Sequence, residues 1–590
     1  MTNQDSFNHL LILYATETGN TQDAADTIAR QCRRLSLRAR ILSIEDYPLP
    51  DLVSEELVIF VVSTTGSGQE PRSMTPFWHM LLRSDLPTDL FEDMTFAVFG
   101  LGDTAYEKFC WPAKKLSRRL LSLGAVELCE RGEADDQHQL GIDGALVPWI
   151  ETLLRALLGY LSLPPGMTDT QPSSAPPPRV RLTRIEATSD KNQPQIPSRE
   201  SRYQAKVKCN TRITATDWFQ DVRHLELDFD QDIQYSPGDV AVIYPIASSK
   251  DVDSFLQDME WASGADDAYT MEHIMSDQTL PSNLPSVITF KELFTRHLDF
   301  NAVPKRSFFQ YLRYFATDEL EVERLDEFLS LEGADELYDY CFGVRRTIRE
   351  VLMEFRHTKI PKDYIFDIFP PLRPRQFSIA SSVKKHPRQI HLCIAIVKYR
   401  TKLKVPRRGV CTSYISRLEP GNELLIGIQR GFIRLPPDKN TPILCIGPGT
   451  GIAPMRSVIE ERIHAGSTAN TLYFGCRSAS KDHHYGSEWT EYAERQKIAY
   501  RPAFSRDGPT GTKRVYVQDR IEQYAEETWE LVGKAGAWVF ISGSSNKMPT
   551  AVKNAIKAAA EIYGGYSADD ASRYIEDMIQ EGRLIEECWS

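Results

Sequence analysis

Ala15-Thr16-Glu17-Thr18-Gly19-Asn20-Thr21 follows an apolar β run over residues 9–14 and opens a helical pattern that continues to residue 34. At such a junction the backbone N–H groups, with the hydroxyls of Thr16, Thr18 and Thr21, can wrap a phosphate placed on the positive end of the helix dipole. No lysine is needed, unlike a P-loop. Alone, the stretch reads better as a capped strand-to-helix turn. Two further loops change that reading. Thr64-Thr65-Gly66-Ser67-Gly68-Gln69-Glu70-Pro71 follows the apolar run 57–63, and Gly100-Leu101-Gly102-Asp103-Thr104-Ala105-Tyr106-Glu107-Lys108-Phe109 follows the run 96–100. The alternation of β runs and helical patterns implies a parallel sheet covered by helices, with ligands beyond the carboxyl ends of its strands.

In the second and third loops glycines let backbone approach a flat ring, whose edge takes backbone hydrogen bonds, while Tyr106 is positioned to stack on its face. Together the three loops resemble flavodoxin and the FMN domain of diflavin reductases. The resemblance implies FMN held by Thr16 to Thr21, by Thr64, Thr65, Gly66 and Gly68, and by Gly102, Asp103, Tyr106 and Phe109. One departure is visible: Thr65 stands where those domains often carry a second stacking aromatic.

Farther along, Arg375-Gln376-Phe377-Ser378 begins a β stretch, with an arginine suited to a diphosphate and Ser378 able to hydrogen-bond a ring. Gly409-Val410-Cys411-Thr412 precedes a helical pattern whose first amides can receive the diphosphate. Gly447-Pro448-Gly449-Thr450-Gly451 follows the run 443–446 and fits a nucleotide diphosphate loop, although not with the GxGxxG spacing of dehydrogenases. Tyr473-Phe474-Gly475-Cys476-Arg477 ends the next strand. Ser505-Arg506 and Arg514-Val515-Tyr516-Val517-Gln518 then supply two guanidiniums, hydroxyls and an aromatic face. A carboxylate there would select NAD, whereas this cationic set suits the extra phosphate of NADPH, the alternative being an exposed charge cluster.

These motifs are similar to those of the ferredoxin–NADP reductase family, and a helical insertion at about 250–370 is what diflavin reductases add to it. The resemblance implies FAD on Arg375, Gln376, Phe377, Ser378, Gly409, Val410, Cys411 and Thr412. It implies NADPH on Gly449, Thr450, Gly451, Ser505, Arg506, Arg514, Tyr516 and Gln518. It also places the terminal aromatic, Trp589, over the FAD ring, from which it must swing away before nicotinamide binds; the alternative is a hydrophobic anchor. Ser378 is expected to work with Ser542, where a cysteine is usual, and with Glu587, where aspartate is common.

The expected fold class is α/β multidomain. A flavodoxin-like FMN domain (1–160) is followed by a Pro/Ser-rich flexible linker (161–201) and by an antiparallel FAD-binding β-barrel (202–435) carrying the helical insertion. A ferredoxin–NADP-reductase-type α/β nucleotide domain (436–590) completes the chain. Within the insertion, Phe308, Tyr311, Leu312 and Phe315 fall at i, i+3, i+4 and i+7, the spacing of a helix face turned to a core.

Ten cysteines lie singly, without CxxC pairs, which argues against a zinc site or a protein-held iron–sulfur cluster and favours a reducing compartment. No metal site is expected, and no apolar run is long enough to span a bilayer. A net charge of −12 disfavours nucleic acid. Residues 1–150 hold 22 acidic and 13 basic side chains, so most of the excess lies there. That suits a basic docking partner or is simply a solvated acidic surface. Glu130, Glu133, Asp135, Asp136 and Asp143 cluster near the third loop.

Among diflavin reductases the early start of the first domain, Thr65 and Ser542 most resemble the cytosolic, cytoplasmic members that reduce an anamorsin-type iron–sulfur protein for cluster assembly. A soluble reductase of the sulfite-reductase or methionine-synthase-reductase type is the alternative. From another class, a degenerate flavodoxin-like scaffold would need eroded cofactor loops, and these are intact.

Overall fold

The computed structural model describes residues 10–35, 37–66, 68–106, 108–161, 175–185, 202–281, 284–330, 332–509 and 511–589. The strand start at residue 9 and most of the expected linker, 162–174 and 186–201, lie outside them. The chain forms two compact units, residues 1–197, 247–373 and 401–405 in one, and 198–246, 374–400 and 406–590 in the other.

In the first unit, strands β1 (Leu10–Ala15), β2 (Ala39–Ser43), β3 (Leu57–Ser63), β4 (Thr95–Gly102) and β5 (Val126–Glu127) pair in parallel in the order β2-β1-β3-β4-β5, and β6 (Gly132–Asp135) also pairs with β4. β1 and β3 are apolar runs because both faces are covered. Leu10 and Ile12 enter one core, with Ala24, Ala25 and Ile28 of helix α1 (Asn20–Cys32), and Leu11 and Leu13 enter the other, with Phe77 and Leu116. The strand order reverses between β1 and β3, so the loops after β1, β3 and β4 open on the crevice where α/β sheets bind ligands.

Residues 247–373 pack in this same unit around a core of Phe255, Phe290, Phe294, Phe300 and Phe309. Helix Arg306–Phe315 buries Phe308, Tyr311 and Leu312 there, with Phe315 partly buried beside them, as its spacing predicts. The segment read as linker is not featureless: Val180–Ile185 forms a strand against Ala268–His273, which pairs in turn with Val287–Thr289. Backbone pairing with a partner about ninety residues distant overrides the proline-rich flank that suggested a linker.

A buried charge network ties α1 to these segments. Arg179 donates to Asp26 at 3.0 Å and to Asp367 at 3.2 Å, and Thr279 donates to Asp26 through both its amide and its hydroxyl. Arg30 reaches Gln278 at 3.0 Å, and Arg33 pairs with Asp277. In such a network desolvation offsets much of the attraction, so removing one partner costs more than the intact network contributes.

The second unit contains an antiparallel path in the order Arg375–Ser378, Val240–Ile243, Glu423–Gln429, Arg202–Arg212, Val222–Asp228, Gln389–Ala395. A bridge between Ile379 and Leu392 brings the two ends of the path together, nearly closing a barrel around Leu225, Leu227, Ile243, Ile390 and Ile426. Its other half is a parallel sheet in the order Ala499–Phe504, Asn470–Cys476, Ile443–Ile446, Trp538–Ser544, Leu584–Trp589. Among the described residues no helix is long and apolar enough to cross a membrane.

Candidate functional site

The register of β1, β3 and β4 sets Ala15 beside Val62 and Ser63 beside Leu101, so three loops leave the sheet together. In the first, Gly19 has φ +91°, and its amide donates to Thr16 Oγ1 at 2.6 Å. Thr21 is fully buried and donates to the Ala15 carbonyl at 3.0 Å. Its hydroxyl therefore shapes the turn, leaving Thr18 and Asn20 as the exposed residues of the loop. Glu17 joins this loop to the end of the second by pairing with Arg72 at 3.3 Å.

In the second loop the Thr65 hydroxyl donates to the carbonyls of Gln69 and Glu70, both at 3.1 Å, and the Thr65 amide donates to Gln69 at 2.9 Å. Threonine at this position closes the loop. Thr64 Oγ1 is buried without a hydrogen-bond partner, an orphan of the kind a polar ligand atom satisfies. Gly68, at φ +92°, has no room for a side chain: a Cβ there would stand 2.4 Å from Lys108 Cβ of the third loop.

The third loop is held by a residue that sequence reading placed on an acidic docking surface. Asp135 accepts from the Thr104 amide at 2.9 Å, the Thr104 hydroxyl at 2.6 Å and the Gln137 amide at 3.0 Å. Desolvation works against ionisation, but these hydrogen bonds hold its carboxyl below the usual range. Glu133 is also engaged, with Lys114 at 3.1 Å and Arg131 at 2.7 Å. Glu130 and Asp136 remain exposed. Gly102, Asp103, Tyr106 and Phe109 all lie on this loop, with Phe109 packed on Gly102 and Tyr106 half-buried. Asp136 and Asp143 line a cleft that also presents Lys305, Arg306 and Arg345.

On the barrel, Arg375 and Gln376 are exposed at the start of their strand, Gln376 donating to Gln429 at 2.8 Å. Phe377 is partly buried against the barrel core. Cys411 and Thr412 are buried. Thr412 Oγ1 accepts from the Val397 amide at 3.1 Å and donates to the Gly409 carbonyl at 3.3 Å. The Gly409 amide itself donates to the Val397 carbonyl at 3.0 Å, so this stretch offers a ligand its backbone amides from Val410 onward rather than these side chains.

In the parallel sheet Gly449 has φ +59°, and Gly451 abuts the end of a neighbouring strand, where a Cβ would lie 2.1 Å from the Ser542 carbonyl oxygen. At the next strand end the Ser505 amide donates to Cys476 at 3.0 Å, and the Arg506 amide donates to Arg477 at 2.8 Å. Arg477 thus joins the cationic set formed by Arg506 and Arg514. Desolvation, then the like charges of Arg506 and Arg514, depress its proton affinity, and its guanidinium sits 4.5 Å from the Phe219 ring. Sequence reading quoted Arg477 without a role; its place directly after a parallel strand was the available signal. Arg506, Arg514 and Tyr516 are exposed, and Ser505 and Gln518 half-buried.

Ser378 Oγ donates to Glu587 Oε1 at 2.6 Å, and Glu587 is the register partner of Ser542. The structure therefore brings together the three residues expected to cooperate. Ser542 is fully buried, and its hydroxyl has no hydrogen-bond partner. Trp589 ends the last strand, 41% exposed, its carbonyl accepting from the Ser545 amide at 2.9 Å.

His224, Glu226 and His391 place potential ligand atoms within 4.8 Å of one another. Lys208 already pairs with Glu226 at 2.9 Å, Arg456 lies 3.4 Å from His391 Nδ1, and Tyr485 binds His224 at 2.9 Å. Two cations beside the cluster oppose a third, so it reads as a hydrogen-bonded polar group.

The orphaned hydroxyls, the glycines that admit no Cβ and the converging arginines fit bound flavins and a phosphorylated nucleotide. Comparison with known proteins agrees. The flavodoxin family matches residues 12–149, the FAD binding domain family 196–414, and the oxidoreductase NAD-binding domain family 445–554. The chain is 40% identical to NADPH-dependent diflavin oxidoreductase 1 of Danio rerio, over 98% of this chain and 99% of that protein. It is 39% identical to the protein of the same name from Cryptococcus neoformans, over 98% and 100%, and 36% identical to that of Bos taurus, over 98% and 99%.

Proposed function

The chain belongs to the NADPH-dependent diflavin oxidoreductase family, and from that premise we propose that its electrons go singly to an anamorsin-type iron–sulfur protein in cytosolic cluster assembly. It is an NADPH oxidoreductase with FMN, FAD and NADPH as cofactors, passing electrons to a protein acceptor. FAD supplies acceptance of a hydride as an electron pair, and FMN supplies release in single steps.

In this reading the loops after β1, β3 and β4 hold FMN, and Arg375 to Ser378 with the backbone amides from Val410 onward, set by the Gly409 turn, hold FAD. The Gly449–Gly451 turn and the arginine set hold NADPH. Ser378, Ser542 and Glu587 position the nicotinamide: the Ser378–Glu587 hydrogen bond fixes the carboxylate, and the unpartnered Ser542 hydroxyl is available to a ligand. Trp589 covers the flavin face. Replacing it by alanine is expected to raise use of NADH relative to NADPH, because binding energy no longer has to displace a ring. An unchanged ratio in steady-state kinetics would make Trp589 an anchor only.

The observation that carries the acceptor reading is the acidic rim, where Asp136 and Asp143 share a cleft with Lys305, Arg306 and Arg345. Carboxylates that meet an internal cationic surface can exchange it for an external one. Thr65 in the middle loop, Ser542 in place of cysteine and ten cysteines free as thiols support the cytosolic branch of the family. Stopped-flow mixing of the reduced holoenzyme with a stoichiometric iron–sulfur acceptor tests it. Glu130→Lys with Asp136→Lys is expected to slow acceptor reduction by about tenfold at low salt and less at high salt, with NADPH-to-FAD reduction nearly intact. Acceptor reduction indifferent to both reversal and salt removes the docking surface. Reduction of a sulfite-reductase or methionine-synthase partner instead moves the chain to the alternative branch.

A further inference from the structure

The turn Gly449–Gly451 runs directly into helix Ile452–His464, and strand Arg375–Ser378 continues into residues 379–382. Hydrogen bonds join the two continuations. Arg456 Nη1 donates to the Ala380 carbonyl at 2.6 Å, and Ser457 Oγ donates to the Ser381 carbonyl at 2.6 Å. One turn later Glu460 accepts from the Ser382 amide at 3.0 Å, and Glu461 accepts from the Ser382 hydroxyl at 2.6 Å. Positions i, i+1, i+4 and i+5 fall on one side of a helix, so a single side grips three successive residues of the chain leaving the strand. All of these residues are buried, and Ala380 and Cys393 pack there with Met455, Val458 and Ile459.

The rest of the Arg456 guanidinium is held as well. Nε donates to Glu488 at 2.9 Å, Nη2 pairs with Glu460 at 2.8 Å, Nη1 lies 3.4 Å from His391 Nδ1, and the Tyr485 ring is 4.8 Å away. Burial works against its charge, and Glu488 and Glu460 more than offset that. Residues just beyond Ser382 add to the grip, Lys385 pairing with Glu460 at 2.9 Å, His386 with Glu460 at 3.3 Å and Lys384 with Glu461 at 2.7 Å. Arg462 of the same helix makes the contrast. It is also buried, yet it donates to Asn470 at 2.7 Å, to Ser467 at 2.9 Å and to the Thr441 carbonyl at 2.7 Å, beside the parallel sheet that carries the nucleotide turn.

We infer that Arg456, with Ser457, is a positioning residue for hydride transfer: it fixes the spacing between the flavin seat and the nicotinamide seat through Ala380–Ser382 and touches neither cofactor. The inference rests on reading Arg375 to Ser378 and Gly449 to Gly451 as parts of those two seats. Hydride transfer needs the reacting atoms about 3–3.5 Å apart, and a shift of about 1 Å can cost on the order of 100-fold in rate. Each seat is built on its own sheet, so their spacing is set by whatever joins the two. Here the joint ends on the backbone carbonyls of Ala380 and Ser381, which follow Ser378 by two and three residues and cannot move away by a change of rotamer.

Anaerobic stopped-flow reduction of FAD in the full-length holoenzyme, by NADPH and by NADPH deuterated at the transferred position, reads this directly. Arg456→Lys keeps a charge for Glu460 and Glu488 and gives up the fork that reaches Ala380. It is expected to slow the isotope-sensitive step about 30-fold at saturating NADPH, with NADPH affinity and FAD content as in the parent protein. Ser457→Ala, a smaller change that spares the buried charges, is expected to slow the same step about fivefold. Arg462→Lys serves as the structural comparison: it is expected to lower the denaturant midpoint while leaving the hydride step unchanged. If Arg456→Lys and Ser457→Ala slow that step no more than Arg462→Lys does, Arg456 only supports the fold and the proposal is overturned. A loss that more NADPH restores places the defect in binding and overturns it too. Ser378→Ala separates the two readings. If it slows hydride transfer while the Arg456 and Ser457 variants do not, the positioning role alone is wrong; if none of them does, the flavin seat is wrong and the positioning role with it.

Discussion

Gly451→Ala is expected to destabilise the nucleotide-binding sheet by about 3 kcal/mol and to slow NADPH-to-FAD reduction by about 100-fold. The new methyl would lie 2.1 Å from the Ser542 carbonyl oxygen, 2.7 Å from its carbon and 3.0 Å from Gly543 Cα. All three are backbone atoms, so no rotamer change relieves the overlap. Gly451 itself has φ −60° and ψ −12°, ordinary for any residue, so the demand for glycine there is purely one of space. Relief must move either the turn entering helix Ile452–His464 or the end of strand Trp538–Ser544, and that strand carries Ser542. Gly449→Ala makes the contrast: φ +59° strains an alanine, but nothing lies within 4 Å of its Cβ. It is expected to cost only about 1 kcal/mol. Denaturant unfolding of both variants, with single-turnover flavin reduction, checks this, and a Gly451 variant no worse than the Gly449 one would show that the turn yields freely.

Gly451 also shows what could be read from the sequence alone. A glycine-rich turn after an apolar run marks a ligand loop by local chemistry, so the loops at 15–21, 64–71, 100–109 and 447–451 were all legible, as were the two parallel sheets they serve. The partner that makes a glycine obligatory was not. Ser542 meets Gly451 across ninety residues, Lys108 meets Gly68 across forty, and Arg373 meets Gly19 across more than three hundred and fifty. Periodicity carries no information about such pairings. The strand Val180–Ile185 was hidden for a related reason: its register is dictated by Ala268–His273, and its own residues sit beside a run of prolines.

Charge was the least legible property. An acidic run near the third loop reads as a surface patch, yet Asp135 and Glu133 are consumed by Thr104, Lys114 and Arg131, leaving Glu130 and Asp136 as the exposed members. Sequence counts charges, while geometry decides which are already spent on the protein itself.

The arginines of the nucleotide half are the converse, a cluster larger than the sequence suggested. Replacing Arg477, Arg506 and Arg514 together by alanine is expected to weaken NADPH by about 100- to 1000-fold while changing NADH by less than about fivefold. Like charges held together repel, and Asp482, which favours the charged form of Arg477, offsets only part of the repulsion from Arg506 and Arg514, so a bound anion would complete the neutralisation. Here the backbone bonds Ser505 to Cys476 and Arg506 to Arg477 hold two adjacent strand ends together, fixing the cations side by side. Arg506 and Arg514 are exposed and screened by water, so each alone is expected to contribute about tenfold or less. Arg477 is half-buried, with its guanidinium 4.5 Å from the Phe219 ring, and its single replacement is expected to have the largest effect of the three. The discriminating measurement is the ratio of kcat/KM for the two nucleotides, since they differ only in the phosphate on the adenosine ribose. A general disturbance of the sheet lowers both values together and leaves the ratio intact, whereas loss of phosphate recognition collapses the ratio and spares NADH. If Arg477→Ala leaves the ratio unchanged while Arg506→Ala and Arg514→Ala lower it, Arg477 serves only to pack against Phe219, and the phosphate is read by the two exposed arginines alone.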